Sequence, residues 1–212
     1  MKINKPILFK EIETFCKELE GEFEIISRER KVKLLQLTNY ISNKIKEGQV
    51  PKIVVICTHN SRRSHIGQIW LAVVADYFQR SEIQTFSGGT EATAFNIRAV
   101  RAFQKIGFDI LADEEIENPI YQVSWKKGMK PYQAFSKKYE NTPNPKEKFA
   151  AIMVCSEADE GCPSVFGCDF RLSLPFNDPK EFDGTELETE KYDERVRQIG
   201  REMLFAISQV EA

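Results

Sequence analysis

The stretch that decides the fold is KIVVICTHNSRRS, residues 52–64. An apolar run ends in Cys57, Arg63 follows six positions later, and a helix-like segment, HIGQIWLAVVADYF, occupies residues 65–78. This order predicts a buried strand, a short polar loop and a helix. Such a loop directs backbone N–H groups and the positive end of a helix at one small volume, which suits a bound oxyanion.

Two residues of this stretch are candidate catalytic groups. The loop N–H groups and Arg63 favour the thiolate form of Cys57, which makes it a nucleophile. The planar guanidinium of Arg63 fits a tetrahedral oxyanion. Ser64 is expected to donate a hydrogen bond to the thiolate and Asn60 to hold the tight turn, whereas His59 and Arg62 face either the mouth of the loop or solvent. The predicted oxyanion-binding loop comprises Thr58, His59, Asn60, Ser61, Arg62, Arg63 and Ser64.

Strand and helix patterns alternate after residue 52. The pattern predicts an α/β fold of three layers, with a parallel four-stranded sheet and helices on both faces, because near-continuous apolar strands are typical of such sheets. The predicted strands are 52–57, 83–86, 150–155 and 170–174, and the predicted helices are about 64–80, 96–106 and 186–208.

Two segments stand apart from this alternation. Residues 1–50 carry two amphipathic helix patterns and form an N-terminal helical extension, which either packs on the α/β domain of residues 51–212 or serves as an arm for a partner. Residues from about 113 to 149 contain four prolines and several aromatic residues. They are interpreted as an insertion, a hairpin and then a short helix, that either walls a ligand site or decorates the surface.

Parallel topology predicts where further site residues lie. Ligands of such sheets bind beyond the carboxyl ends of the strands. Cys57 ends the first strand, Cys155 ends the third, and PFNDP (175–179) follows the fourth, so all three should meet at one edge. Asp178 is then a candidate general acid for the leaving group, although Asp-Pro also favours a simple turn.

The five cysteines are Cys16, Cys57, Cys155, Cys162 and Cys168. The spacing of the last three fits zinc poorly, and no metal or cofactor is predicted. A redox function fits better, because a second thiol at the same edge can attack an adduct on Cys57 and a third thiol can take over the disulfide. Cys16, on the apolar face of a helix pattern, is expected to be an inert small hydrophobe.

Composition narrows the class of protein. The 212 residues are 42% hydrophobic and 29% charged, with a net charge of −2, which is typical of a globular chain and argues against a nucleic-acid binder. No apolar stretch approaches the roughly 20 residues that cross a bilayer, and the N-terminus lacks a signal-peptide pattern. A cytoplasmic location with reduced cysteines is therefore expected.

The motifs resemble the low-molecular-weight protein tyrosine phosphatase superfamily. CTHNSRRS (57–64) is similar to its signature loop, Asp178-Pro179 to its general-acid motif and SGGTEA (87–92) to a further segment. CSEADEGCP (155–163) is similar to the thioredoxin-coupled arsenate reductases of that superfamily. The resemblance covers about residues 52–110 and 150–205.

The resemblance implies a function and leaves alternatives open. It implies arsenate reduction in which Cys57 attacks arsenate, Cys155 forms a disulfide with Cys57, and Cys162 passes the disulfide to thioredoxin or a similar thiol reductant. The alternative is a phosphatase acting on phosphotyrosine or a small phosphate ester, which needs only Cys57, Arg63 and Asp178. In that case the Trp and Tyr residues of the insertion are expected to line the cleft, since Lys180 follows Asp-Pro where the phosphatases commonly have tyrosine. A module that binds oxyanions or senses redox state without turnover is the third hypothesis.

Overall fold

A computed structural model describes residues 8–113, 116–161 and 164–211 of the chain. Short 3-10 helices at Phe23–Ile25 and Pro179–Phe182 supplement the main elements. In chain order these are α1 (Lys10–Glu20), α2 (Arg28–Lys46), β1 (Lys52–Cys57), α3 (Arg63–Tyr77), β2 (Gln84–Gly89), α4 (Ile97–Ile106), β3 (Asp109–Ala112), β4 (Tyr121–Ser124), β5 (Tyr132–Ala134), β6 (Phe149–Met153), α5 (Ser156–Gly161), β7 (Cys168–Ser173) and α6 (Glu188–Ser208).

The main sheet has four parallel strands in the order β2-β1-β6-β7. Strand β1 is central and almost completely buried, as its unbroken apolar run requires. The pairs Cys57–Gly89 and Ile56–Met153 bring the carboxyl ends of three strands to one edge. The parallel sheet with helices on both faces, predicted from the sequence, is confirmed.

Helix α3 lies close against the sheet behind the loop. Gly67 permits this approach, because a Cβ at that position would lie 2.9 Å from the side chain of Val55 in β1. On its other side α3 contacts α6. The loop before α3 is therefore held between a buried strand and a helix that is packed on both sides.

None of the helices in the described parts of the chain is long and apolar enough to span a membrane.

The N-terminal helices pack on the α/β core. Both α1 and α2 contact α6, and the ring of Phe15 stacks on Trp70 of α3 with a centroid distance of 5.7 Å. The apolar stripe of α1 is buried through Ile12 and Leu19. Of the two expectations for residues 1–50, packing on the domain is the one that the structure supports.

The insertion forms a second sheet. Strands β3, β4 and β5 are antiparallel neighbours in that order, so the expected hairpin is present but has a third strand that begins at Asp109, before the predicted boundary. The expected short helix is wrong, because the described residues between 116 and 149 contain strands and turns but no helix. Residues 132–134, in the part of the insertion where the short helix is expected, instead pair with β4.

Candidate active site

The predicted oxyanion loop joins β1 to α3. Cys57 ends the strand with only 4% of its surface exposed, and its Sγ lies 3.1 Å from Ser64 Oγ in the first turn of α3. Asn60 has a φ of 43°, in the left-handed region that asparagine tolerates better than most residues. The loop thus turns back over the end of the strand and leaves the thiol at the helix N-terminus.

Asn60 ties the loop to both flanks. Its Nδ2 donates to Ser64 Oγ over 2.9 Å, and its Oδ1 accepts a bond of 2.9 Å from the backbone N–H of Lys137. Lys137 belongs to the insertion, which also reaches the loop through Ser136, whose Oγ donates to the carbonyl of His59 over 3.1 Å. The insertion therefore braces the oxyanion loop.

The segment after β2 holds the same loop from another side. The backbone N–H of Glu91 donates to the carbonyl of Thr58 over 2.8 Å, and that of Asn96 donates to the carbonyl of Ser61 over 2.9 Å. These bonds satisfy two carbonyls of the loop and fix its path from the β2 side.

Arg63 and Asp178 meet, as the topology predicted. Arg63 Nη2 lies 2.7 Å from Asp178 Oδ2, and Nη1 donates to the carbonyl of Phe176 over 3.0 Å. Asp178 Oδ1 also accepts from the backbone N–H of Lys180, which caps the short helix Pro179–Phe182. The Asp-Pro pair is therefore a turn and also brings a carboxylate to the loop arginine.

His59 and Arg62 differ in their surroundings. The His59 side chain is 44% exposed, with Nε2 3.7 Å from Glu91, and lies at the rim of the loop. Arg62 is anchored away from the rim, because its Nε donates to the Tyr192 hydroxyl over 2.7 Å and its Nη2 to Asp183 over 3.2 Å. Arg62 thus links the loop to α6.

Cys155 is buried next to the loop. It follows β6, where the backbone N–H of Val154 donates to the carbonyl of Ile56, and its Sγ lies 3.4 Å from Thr58 Oγ1. Burial raises the pKa of the Cys155 thiol, and proximity to Cys57 raises it further, while the Thr58 hydroxyl and the charge of Arg63 oppose the rise. A negative charge on the Cys57 sulfur therefore makes ionisation of Cys155 harder.

The remaining cysteines are placed differently. Cys162 lies outside the described residues. Cys168 pairs with Phe149 at the start of β6, about 16 Å of strand away from the Cys155 end. Cys16 is fully buried in α1, and burial raises the pKa of its thiol to about 12. Within residues 8–113, 116–161 and 164–211, no three His, Cys, Asp or Glu side chains cluster as metal ligands.

Trp125 and Tyr132 of the insertion do not wall the loop. Trp125 donates its Nε1–H to Asp76, near the far end of α3 from the loop, and the Tyr132 hydroxyl bonds with Gln68 and Thr85. The insertion residues that do reach the loop, Ser136 and Lys137, escaped sequence reasoning. No motif marks them, because they act through a hydroxyl and a backbone N–H.

Lys137 is itself unusual. Its side chain is almost fully buried, with Nζ 3.2 Å from the carbonyl of Phe135 and 4.5 Å from the centre of the Phe135 ring. Burial lowers the pKa of its ammonium group to about 8. Beside the loop this lysine therefore gives up its proton more readily than an exposed lysine does.

Comparison with known proteins agrees with this architecture. No protein-family model matches the chain. The chain is 27% identical to an arsenate reductase of Halalkalibacterium halodurans over 150 residues, which cover 70% of this chain and 89% of the relative. The YwlE mutant of Bacillus subtilis superposes with a TM-score of 0.50 at 13% identity, covering 76% of this chain and 99% of that structure.

A low-molecular-weight phosphotyrosine phosphatase of Vibrio cholerae gives a TM-score of 0.46 at 15% identity, covering 74% of this chain and 94% of that structure. The sequence relationship agrees with the signature loop and with the strand order of the main sheet. The predicted resemblance to the superfamily of low-molecular-weight phosphatases and arsenate reductases is confirmed, and the sequence relationship supports an enzyme of this kind.

Proposed function

We propose that this enzyme reduces arsenate to arsenite through a relay of three thiols. The observation that carries the proposal is Cys155, a buried thiol that directly follows β6, the strand beside β1, and whose Sγ lies 3.4 Å from Thr58 Oγ1 of the oxyanion loop. Hydrolysis of a phosphate ester requires no such second thiol. A reduction requires one, because two electrons must reach the arsenic atom.

The first step uses Cys57, Arg63 and Asp178. The Cys57 thiolate attacks arsenic while the loop N–H groups and Arg63 hold the oxyanion. Asp178 in its protonated form gives a proton to the departing oxygen, which leaves as water. Without a ligand Asp178 is paired with Arg63, so entry of the oxyanion exchanges one anionic partner of the arginine for another.

The second step moves the electrons. Cys155, as its thiolate, attacks Sγ of Cys57, and a disulfide forms between them. The electron pair of the sulfur–arsenic bond goes to arsenic, which leaves as arsenite. Because burial raises the pKa of Cys155, this thiol gives up its proton, to an oxygen of the departing arsenite, as it attacks, and the Thr58 hydroxyl at 3.4 Å stabilises the charge on its sulfur.

The third step regenerates Cys57. The Cys162 thiolate attacks Sγ of Cys155, Cys57 leaves as a thiolate, and a dithiol protein of the thioredoxin class reduces the Cys155–Cys162 disulfide. Cys155 is fully buried, so a protein reductant needs a thiol nearer the surface to carry the disulfide outward. A relay of this kind suits the reducing cytoplasm.

A phosphatase is the second candidate. Its support is the contact of Arg63 with Asp178 beside Cys57, since a nucleophile, an oxyanion-binding arginine and an acid for the departing ester oxygen suffice to form a phosphocysteine intermediate, which water then hydrolyses. The Trp125 and Tyr132 rings lie elsewhere, which favours small esters over phosphotyrosine peptides. Both activities share the first step.

The deciding experiment compares Cys155→Ser with Cys168→Ser. Arsenate-dependent oxidation of NADPH, coupled through thioredoxin and its reductase, should fall at least about a hundredfold in Cys155→Ser, because no thiol is left beside Cys57 to accept the disulfide. Cys168→Ser removes a thiol at the opposite end of the sheet and should retain the wild-type rate.

The same two variants are assayed on 4-nitrophenyl phosphate. Retained ester hydrolysis in Cys155→Ser would show an intact loop and assign the loss to the relay. Full arsenate turnover by Cys155→Ser would refute the relay, and ester hydrolysis with no arsenate turnover in the wild type would make the enzyme a phosphatase.

A further inference from the structure

Arg30 of α2 reaches the segment that carries Asp178. Its Nη1 donates to the carbonyl of Pro175 over 3.0 Å, and its guanidinium lies 4.6 Å from the centre of the Phe176 ring. Arg63 donates to the carbonyl of Phe176, so two arginines hold successive carbonyls of one loop. One arginine comes from the oxyanion loop and the other from the N-terminal extension.

Arg30 is rigidly mounted. Its Nε and Nη2 donate to Glu202 of α6 over distances of 2.6 to 2.9 Å. The Glu202 side chain is only 2% exposed, and Gln198 donates to it over 3.2 Å. A bidentate pair of this kind fixes the plane of the guanidinium, which leaves Nη1 aimed at the Pro175 carbonyl.

The segment of residues 175–179, which carries Asp178 and is called the acid loop below, needs the support of Arg30 during the reaction. Asp178 serves as an acid only when it is protonated, and a protonated Asp178 has no ion pair with Arg63. The loop therefore enters the chemical step without the short contact of 2.7 Å that holds it in the free enzyme. The bond from Arg30 to Pro175 does not depend on the protonation of Asp178.

We propose that Arg30 is a positioning residue for the general acid, through which the N-terminal extension holds the Asp178 loop in place as Arg63 turns to the oxyanion. This inference rests on the proposed role of Asp178 and extends it to a segment that lies outside the superfamily resemblance. Arg30 touches neither substrate nor reacting atoms.

The test replaces Arg30 by Met and uses Arg197→Met as the matched control. Arg197 of α6 also pairs an acidic residue of the N-terminal extension, Glu22 at 2.8 Å, and also lies over a ring, Phe15 at 4.9 Å. These partners lie in α1 and in the turn that follows it, away from the segment that carries Asp178. Amide hydrogen exchange of residues 176–183 should accelerate roughly tenfold in Arg30→Met and stay unchanged in Arg197→Met.

Activity is read as kcat/KM on two esters that differ in leaving group. Phenolate needs protonation far more than 4-nitrophenolate, so Arg30→Met should lower kcat/KM for phenyl phosphate about tenfold more than for 4-nitrophenyl phosphate. A double-mutant cycle with Asp178→Asn gives the same answer on arsenate, because an arginine that acts through the acid has little effect once the acid is gone.

The possible outcomes separate the two proposals. Unchanged exchange in residues 176–183, or equal losses on both esters, would overturn the role of Arg30. A wild-type enzyme inactive on arsenate and on both esters would refute the proposed function, and exchange would still decide whether Arg30 holds the loop. If Arg30→Met does not fold, the variant Arg30→Met/Glu202→Leu removes the buried charge with its partner and carries the same tests.

Discussion

The N-terminal helices and the insertion both lie outside the superfamily resemblance, and both reach the active site, but they hold different halves of it. The insertion contacts the oxyanion loop through Ser136 and the backbone N–H of Lys137. The N-terminal helices contact the acid loop through the guanidinium of Arg30. One added segment thus braces the loop of residues 58–64, and under our proposal the other supports proton transfer from Asp178.

The two contacts also differ in physical kind. The insertion uses neutral hydrogen bonds made largely by backbone, each worth about 1 kcal/mol net, and it is held in place by close packing on β2. The N-terminal contact is part of a buried ion pair between Arg30 and Glu202, whose value depends on both partners being present. Substitutions that disturb the packing of the insertion should therefore weaken oxyanion binding. Substitutions that remove a charge from the Arg30–Glu202 pair should weaken proton donation by Asp178.

The largest effect is expected from Gly88→Ala in β2. A Cβ at Gly88 would lie 2.3 Å from Cα of Tyr139, so the insertion backbone must move away from the strand. We expect a loss of about 4 kcal/mol in the free energy of unfolding and roughly tenfold weaker inhibition by phosphate, because Lys137 then no longer supports Asn60. Denaturant unfolding and phosphate inhibition of ester hydrolysis measure the two effects.

Gly200→Ala is the matched control for this change. Its Cβ would lie 2.7 Å from the Trp70 side chain, which strains the contact of α6 with α3 but not the insertion. Phosphate inhibition should be unaffected in the folded fraction of this variant. An equal loss of phosphate affinity in both variants would mean that binding follows global stability and not the brace.

The site residues that local sequence patterns mark could be predicted from the sequence. The apolar run before Cys57, its spacing to Arg63 and the Asp178-Pro179 pair each follow from a strand or loop signal, and parallel topology brought them to one edge. The braces were not predictable in this way. Ser136, Lys137 and Arg30 act across 77, 77 and 145 residues of chain, and nothing local distinguishes them from surface residues.

The insertion shows the same limit of local patterns. Sequence left two interpretations open, a wall of the ligand site or a surface decoration, and the contacts of Trp125 and Tyr132 with α3 and β2 fit the second for these two rings. The predicted short helix gave way to β5, because pairing with β4 satisfies the backbone of residues 132–134 and nearby prolines disfavour a helix. Tertiary packing overrode local preference in that segment.

The next largest effect is expected from Glu202→Leu, which tests the contribution of the Arg30–Glu202 ion pair to stability apart from the contact of Arg30 with the acid loop. Glu202→Leu leaves the guanidinium of Arg30 without its carboxylate in a largely buried site, and we expect a loss of about 3 kcal/mol in the free energy of unfolding. The double variant Arg30→Met/Glu202→Leu should recover most of this loss. Urea unfolding at neutral pH measures both values.

Recovery of stability should not restore the acid loop. The double variant lacks the donor to the Pro175 carbonyl, so it should keep the leaving-group selectivity expected of Arg30→Met while its unfolding free energy returns toward that of the wild type. Recovery of the unfolding free energy and of wild-type leaving-group selectivity together would show that Arg30 acts on the acid loop only through global stability. The N-terminal helices would then have no separate effect on the acid, contrary to our proposal.

The smallest effect concerns the side chain of Lys137, whose backbone holds Asn60. Burial lowers the pKa of Lys137 from its ordinary 10.5 to about 8, so the folded protein binds this proton less tightly than the unfolded chain. The charged side chain therefore costs stability below pH 8, and the cost disappears as the pH rises toward 10.5. Lys137→Met should stabilise the protein by about 2 kcal/mol at pH 7, once about 1 kcal/mol for contact with the Phe135 ring is deducted.

The control is Lys138→Met at the exposed neighbouring position, which should show no such dependence on pH. The stability gain of Lys137→Met should shrink steadily between pH 8 and pH 10.5, as followed by urea unfolding at several pH values. A gain that stays constant with pH would mean that the ammonium group is well solvated or paired. A loss of stability at pH 7 would mean that the ammonium itself, and not only the backbone N–H, helps the insertion to hold the oxyanion loop.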